Sequence, residues 1–236
     1  MTKVAPEMAN ACRELSSHMS NPGPLHWKSI ERIVGYLKYK DGQGLTLRRP
    51  RELRSVSYCD SNYANDPEDR KSTSGMIHTL GGMIVNWASK KQPTVTLSST
   101  EAEYIALSTC AKEAKFEWML INELTGERHP SIVFEDNTGA IFLVKNQQVG
   151  PRTKHIDVRH HFIRMLIKDN KLRVEFVRSE NNPSDIMTKN CPEKLFWKHA
   201  EAILTGTVDA WREDVNDDDV EVGTDGESLD SPSPDS

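Results

Sequence analysis

Four acidic residues stand where regular elements begin or end. Asp60 closes an alternating stretch, SVSYCDSN, in which Val56 and Tyr58 share one face. Asp136 follows the apolar run 131–134. Asp185 opens a helical pattern behind Asn181-Asn182-Pro183-Ser184, with Pro183 near its first turn. Glu103 lies one turn inside a helix announced by Ser98-Ser99-Thr100-Glu101. There Ser98 is expected to accept from the amide of Glu101, and the Glu101 side chain to reach back to the amide of Ser98. Ala102, Ile105, Ala106 and Cys110 recur at helical spacing and would face a core. A first-turn carboxylate beside such a stripe has two readings: it complements the helix dipole, or it is a metal ligand aimed into a cleft. If the strands carrying Asp60 and Asp136 are adjacent and parallel, the two lie side by side at the carboxyl ends of strands, where α/β sheets build sites. Like charges that close repel unless a cation sits between them. Oxygen ligands without a nearby Cys or His favour Mg2+ or Mn2+ over Zn2+. Four carboxylates suffice for two ions about 3.5–4 Å apart, the arrangement used for phosphodiester hydrolysis.

The elements that must position these residues are legible in order. Met8, Ala11, Cys12, Leu15 and Met19 fall three or four apart, and Asn21-Pro22-Gly23-Pro24 ends that helix. A second helix carries Trp27, Ile30, Ile33, Val34 and Leu37 on one face and ends at Asp41-Gly42-Gln43-Gly44. Together they read as a helical hairpin that packs and does no chemistry. Three antiparallel strands follow as a meander around Asp60, 76–80 and 84–87, then the helix 98–124 closed by Gly126. After strand 131–134 come a short helix 138–145, a helix within 151–171 with a basic outer face, a strand 171–177, and a last helix running from Asp185 through Phe196, Trp197 and Ala200. The order β-β-β-α-β-α-α-β-α places the chain in the α/β class, with a mixed sheet and helices on both faces.

Composition narrows the setting. The 236 residues are 36% hydrophobic with five Trp, enough for a packed core. No apolar run approaches the roughly 20 residues of a membrane span, and the N-terminus lacks a signal-peptide stretch, so an intracellular protein, cytoplasmic or nuclear, is expected. The four cysteines (Cys12, Cys59, Cys110, Cys191) form no C-x-x-C pair, which argues against a zinc ribbon or disulfide framework. The net charge of −5 conceals a division. Residues 211–236 hold ten acidic residues and one Arg, leaving +4 for the rest. A mildly basic body suits a polyanionic partner. The tail, poor in apolar residues, is expected to be disordered.

The blocks YCDSNYANDPEDRKSTSG, VNWASKKQPTVTLSSTEAEYIALS, FEDNTGAI, RTKHIDVRHHFIR and VEFVRSENNPSDIMTK, in this order and spacing, resemble the ribonuclease H domain of copia-type LTR retrotransposon Pol polyproteins. SNPGPLHWKSIERIVGYLK is similar to the segment where reverse transcriptase passes into ribonuclease H. The resemblance covers about residues 8–200. It implies a ribonuclease H-like fold, a five-stranded mixed sheet flanked by helices and preceded by the helical hairpin. The implied division is 1–50 as the end of the reverse transcriptase region, 51–205 as the ribonuclease H-like domain and 206–236 as the acidic tail.

Carried over residue by residue, the family's four ligands are Asp60, Glu103, Asp136 and Asp185; Glu101 is the alternative to Glu103, but its capping role explains it better. The implied reaction is hydrolysis of the RNA strand of an RNA–DNA hybrid with two Mg2+ ions, or Mn2+. Asp60 bridges both ions, Glu103 and Asp136 complete one site, and Asp185 completes the other. The implied partners are the hybrid and the polymerase part of the same polyprotein, with no membrane and no small-molecule cofactor. No Tyr-Val-Asp-Asp-like polymerase motif occurs, so the chain reads as a C-terminal piece of a polyprotein or a truncated genomic copy.

Ser61, Asn62 and Asn137 flank the ligands and are candidate contacts to 2′-hydroxyls, with turn and cap duty as the alternative. Lys90 and Lys91 are candidate phosphate contacts. So are Arg152, Lys154, Arg159 and Arg164 on the basic helix, whose alternative is a solvated face. His155, Asp157, His160 and His161 are poorly placed to share a metal, because His160 and His161 point about 100° apart on a helix. The loop 178–182 contains no His that could assist product release. Two other readings compete. One is an inactive retroelement fragment that at most binds nucleic acid. The other is a transposase- or integrase-like nuclease, disfavoured because those place the helix Glu after the second Asp.

Overall fold

The structure, a computed structural model, describes residues 4–50, 52–145 and 154–209. Of the tail, residues 206–209 pack on the body, with Val208 buried and Asp209 accepting from Tyr58 Oη at 2.6 Å; residues 210–236 and Arg152 lie outside the described residues. The elements are α1 (Ala9–Ser17), α2 (Pro24–Tyr39), β1 (Ser55–Asn62), β2 (Thr73–Leu80), β3 (Met83–Lys91), α3 (Ser99–Thr125), β4 (Ser131–Glu135), α4 (Thr138–Lys145), α5 (Lys154–Lys168), β5 (Leu172–Phe176), α6 (Asp185–Thr188) and α7 (Glu193–Thr205). Among the described residues no helix is long and apolar enough to cross a membrane.

The five strands form one mixed sheet in the order β3-β2-β1-β4-β5. β1, β2 and β3 are antiparallel neighbours, whereas β1–β4 and β4–β5 are parallel. β1 is central and covered on both faces, so seven of its eight residues are buried, Asp60 among them. The period of two sorts its side chains. Val56 and Tyr58 join Ile77, Ile132, Phe134, Ile186, Met187 and Ile203 in a core beneath α6 and α7. Cys59 joins Val133, Leu107, Cys110, Ala114 and Ile163 in the core beneath α3 and α5. The parallel register Tyr58↔Phe134 brings Asp60 and Asp136 to the same level at the carboxyl ends of the two strands.

α3 begins as its cap signal requires, with Ser98 Oγ accepting from Glu101 N at 3.1 Å. The reciprocal bond differs from the expected one. Glu101 accepts from Leu97 N at 2.8 Å, one residue before the cap. Gly126, at φ 75°, ends the helix in the left-handed conformation that favours Gly. The expected single C-terminal helix is two. α6 stops after one turn, and α7 starts behind Pro192, which has no N–H to continue a helix and disfavours αR at the residue before it.

The N-terminal segment is built into the body. Pro6, Glu7, Met8, Ala9 and Asn10 are buried. Arg13 Nε donates to Ser89 Oγ at 3.0 Å, and Asn10 Nδ2 donates to Asn190 Oδ1 at 3.3 Å, beside the end of α6. The Lys40 ammonium lies 2.5 Å from Glu7 and ties the end of α2 to this segment, with both side chains nearly inaccessible. The apolar face of α2 is less covered than its periodicity suggests. None of its residues is buried, and Leu25 and Trp27 are exposed.

One close approach positions the last acid. Gly75 on β2 is the cross-strand partner of Asp60. A Cβ there would stand 2.6 Å from Thr188 Cγ2, 2.7 Å from Met187 Cβ and 2.9 Å from Ser184 O. The bare backbone lets α6 lie against the sheet and bring Thr188 and Asp185 to Asp60. Gly75→Ala is expected to push α6 outward and destabilise the protein by about 1–3 kcal/mol, the usual cost of overpacking. Urea unfolding measures this, and a change under 0.5 kcal/mol would contradict the role given to Gly75.

Candidate active site

Asp60, Glu103 and Asp136 converge. One carboxylate oxygen from each lies within 4.8 Å of the others. Asp60 comes from the centre of the sheet, Asp136 from the residue after β4, and Glu103 from the first turns of α3. Asp60 is 2% exposed and Glu103 7%, and Glu103 Oε2 has no hydrogen-bond partner among the described residues. Asp185, 3% exposed, stands at the first position of α6.

Several residues that the sequence did not single out complete the surroundings. Thr188 Oγ1 donates to Asp60 Oδ2. Lys189 Nζ lies 2.9 Å from Asp185 Oδ1 and 3.7 Å from Asp60 Oδ1. Ser179 Oγ donates to Asp136 Oδ2 at 2.6 Å, so the loop without a His still reaches the site. Asn182 Nδ2 donates to the carbonyl of Cys59, and its Oδ1 accepts from Ser184 N and Oγ, which fixes the chain just ahead of Asp185. Glu135 points the other way, fully buried. Its carboxylate accepts from Cys59 Sγ at 3.1 Å and Asn137 N at 3.1 Å. The signal for Lys189 was present in the sequence: it is four residues after Asp185, the spacing of a helical ion pair. Thr188, Ser179 and Glu135 carry no such local signal.

Of the proposed nucleic-acid contacts, Ser61 is buried beside Glu103. Asn62 Nδ2 donates to Thr188 O at 3.3 Å, and Asn137 Oδ1 caps α4 by accepting from Ala140 N at 3.0 Å. Lys90 is exposed at the end of β3. Lys91 is held by Asp66 at 2.6 Å and Asp69 at 3.0 Å. Lys154 lies in the first turn of α5. Arg159 donates to Ser108 Oγ at 2.6 Å, and His160 is buried with its ring stacked on Tyr104, 4.6 Å between centroids.

The donor set fits a hard divalent cation: clustered carboxylate oxygens, one of them buried without a partner. Glu103, Asp60 and Asp136 would hold it, with Asp185 beside Asp60.

Such a sheet with acids gathered at the ends of its central strands defines a ribonuclease H-like α/β domain. No family model matches the chain. It is 36% identical over 83% of its length to the retrovirus-related Pol polyprotein from transposon TNT 1-94 of Nicotiana tabacum, and 35% identical over 78% to that from transposon RE2 of Arabidopsis thaliana. The chain spans only 15% and 13% of those two proteins. Among solved structures, LC11-RNase H1 aligns with a TM-score of 0.44 and 18% identity, covering 58% of this chain and 93% of that one. The chain's homologues are thus retrovirus-related Pol polyproteins of transposons, and its fold is that of a ribonuclease H domain.

Burial raises the pKa of Asp60, against the pull of Lys189. Burial, followed by repulsion from Glu135, Asp60 and Asp136, pushes Glu103 up to about 10. Burial, followed by repulsion from Asp60, raises Asp185 to about 7. A carboxyl group whose folded pKa exceeds its unfolded one contributes stability that is complete below the unfolded pKa and lost as pH rises through the folded one. In chelator, the protein is therefore expected to lose stability from the ordinary values of 3.8 and 4.5 upward, through about 7 for Asp185 and about 10 for Glu103. Divalent cations should reverse the loss, and Glu103→Gln should remove its upper part. Thermal midpoints in chelator from pH 5 to 10 test this; a profile identical in wild type and Glu103→Gln would contradict it.

Proposed function

We propose that the chain is a ribonuclease H-type endonuclease that hydrolyses the RNA strand of RNA–DNA hybrids. The observation that carries the reading is the convergence of Asp60, Glu103 and Asp136, from three separate elements, within 4.8 Å. Homology to transposon Pol polyproteins supports it, and so does Asp185 one helix turn from Thr188, which binds Asp60.

Bound between these acids, divalent cations would supply an attacking water of lowered pKa and neutralise charge on the leaving 3′ oxygen. Water oxygen adds to phosphorus, the P–O3′ bond breaks, and the products carry a 5′-phosphate and a 3′-hydroxyl. The protein's task is positioning. Asp60 clusters with Glu103 and Asp136 and also shares Lys189 with Asp185, which suits it to be the shared ligand. Thr188 fixes the Asp60 carboxylate and Ser179 fixes that of Asp136. Exposed Lys90 is suited to a backbone phosphate, whereas Lys91, already paired twice, is the weaker candidate. Ser61, Asn62, Asn137, Arg152 and Lys154 complete the proposed hybrid contacts. In this reading residues 51–205 are the catalytic unit, 1–50 its link to the polymerase region and 206–236 an appended acidic tail.

The test is cleavage of a labelled RNA–DNA hybrid in Mg2+ and in Mn2+ by the wild type and Asp136→Asn. The expected result is cleavage of the RNA strand alone, reduced at least about 100-fold by the substitution, since each ligand supports several kcal/mol of charge stabilisation. Activity that survives Asp136→Asn would overturn the ligand assignment. A folded wild type without cleavage in either metal would favour the inactive-fragment reading.

A further inference from the structure

Lys189 divides the four acids unequally. Its ammonium is 2.9 Å from Asp185 and 3.7 Å from Asp60, whose side chains are 4% and 3% exposed. This is no solvated helical pair, because both acids are buried and only the lysine reaches solvent, with 39% of its side chain exposed. Among the described residues, no Lys, Arg or His is ion-paired with Glu103 or Asp136. Among the described residues, buried Glu103 Oε2 has no hydrogen-bond partner and no cation beside it, whereas Asp185 Oδ1, likewise without a hydrogen bond, has the Lys189 ammonium as its ion-pair partner. Thr188 holds Asp60 Oδ2 and leaves Oδ1 turned toward Lys189.

We propose that Lys189 is the resident counter-ion of the Asp60–Asp185 half of the site and competes there with a divalent cation. This rests on the reading of the four acids as a two-ion site. The two halves then differ in affinity. The Asp60–Glu103–Asp136 half offers three carboxylates with no internal competitor. The Asp60–Asp185 half accepts an ion only when Lys189 withdraws, and two positive charges cannot share so small a buried space. Withdrawal is easy because the lysine is a four-carbon tether already at the surface. Once displaced, its ammonium stands at the rim of the site, free to meet a phosphate. Ion loading in this half and phosphate binding would therefore favour each other.

The experiment is a Mn2+ titration of the full chain, with free Mn2+ read by electron paramagnetic resonance and heat by calorimetry, without substrate. Wild type is expected to show one tighter and one weaker ion. Lys189→Met, which keeps the stem and removes the charge, should tighten the weaker ion about tenfold, the scale on which groups touching metal ligands alter affinity. It should leave the tighter ion within about twofold. Lys189→Arg should restore the weak class. Asp136→Asn should lose the tighter class, and thermal unfolding would verify that each variant folds. Identical two-ion titrations in wild type and Lys189→Met would overturn the proposal and leave the ribonuclease H reading standing. A weaker second ion in Lys189→Met would also overturn it, by making the lysine a support of the site. No bound Mn2+ in any folded variant would overturn both.

Discussion

Mutual repulsion among buried carboxylates is the constraint on which this structure turns. Five acids, Asp60, Glu103, Glu135, Asp136 and Asp185, lie near enough to perturb one another, and all but Asp136 are buried. Left to themselves they would separate or take up protons. They stay because they come from four separate rigid elements whose positions are set by hydrophobic packing elsewhere. The central strand supplies Asp60, its parallel neighbour Glu135 and Asp136, the long helix Glu103, and the short helix Asp185. The energy that opposes repulsion is gathered in the two cores on either face of the sheet, away from the charges themselves.

Polar detail does the remaining work. Glu135 is turned inward and satisfied by Cys59 and by the amide of Asn137, so its charge bears on the site while its oxygens are engaged elsewhere. A second buried pair, His78 and Glu117 at 3.1 Å, lies under α3, and Ser55 Oγ donates to Glu117. On the other face, α6 is held by the close approach at Gly75, by Thr188 on Asp60 and by Asn182 on Cys59. The N-terminal segment adds to this support through Asn10 and Asn190. A stretch resembling the tail of a polymerase therefore packs against the helix that carries Asp185. Cutting the chain near residue 50 would remove buried contacts beside the site.

Much of this was legible in the residues. Strand alternation around Val56 and Tyr58, the Ser98 cap, the Gly126 stop and the apolar run before Asp136 each express a local rule, and each element stands where that rule puts it. Local rules also misled in particular places. Periodicity joined α6 to α7 because the apolar stripe resumes in phase, although Pro192 separates them. It gave α2 a buried face, but periodicity specifies which face is apolar and not whether anything covers it. For Lys91, a candidate phosphate contact, the sequence does not show that Asp66 and Asp69 fold back onto it.

By itself, then, the sequence determined most of the elements, their order, the likeness to transposon Pol polyproteins and a set of four candidate acids, because capping, periodicity and motif spacing act over a few residues along the chain. Only the tertiary structure decided how those acids are shared. The parallel pairing of β1 with β4 sets Asp60 level with Asp136. The bare backbone of Gly75 admits α6. The placement of Lys189 sets a cation between Asp185 and Asp60 and leaves Glu103 and Asp136 without one. Most of these contacts join residues far apart in the sequence, Lys189 with Asp60 among them, and their energies depend on burial and distance, which exist only once the sheet has formed.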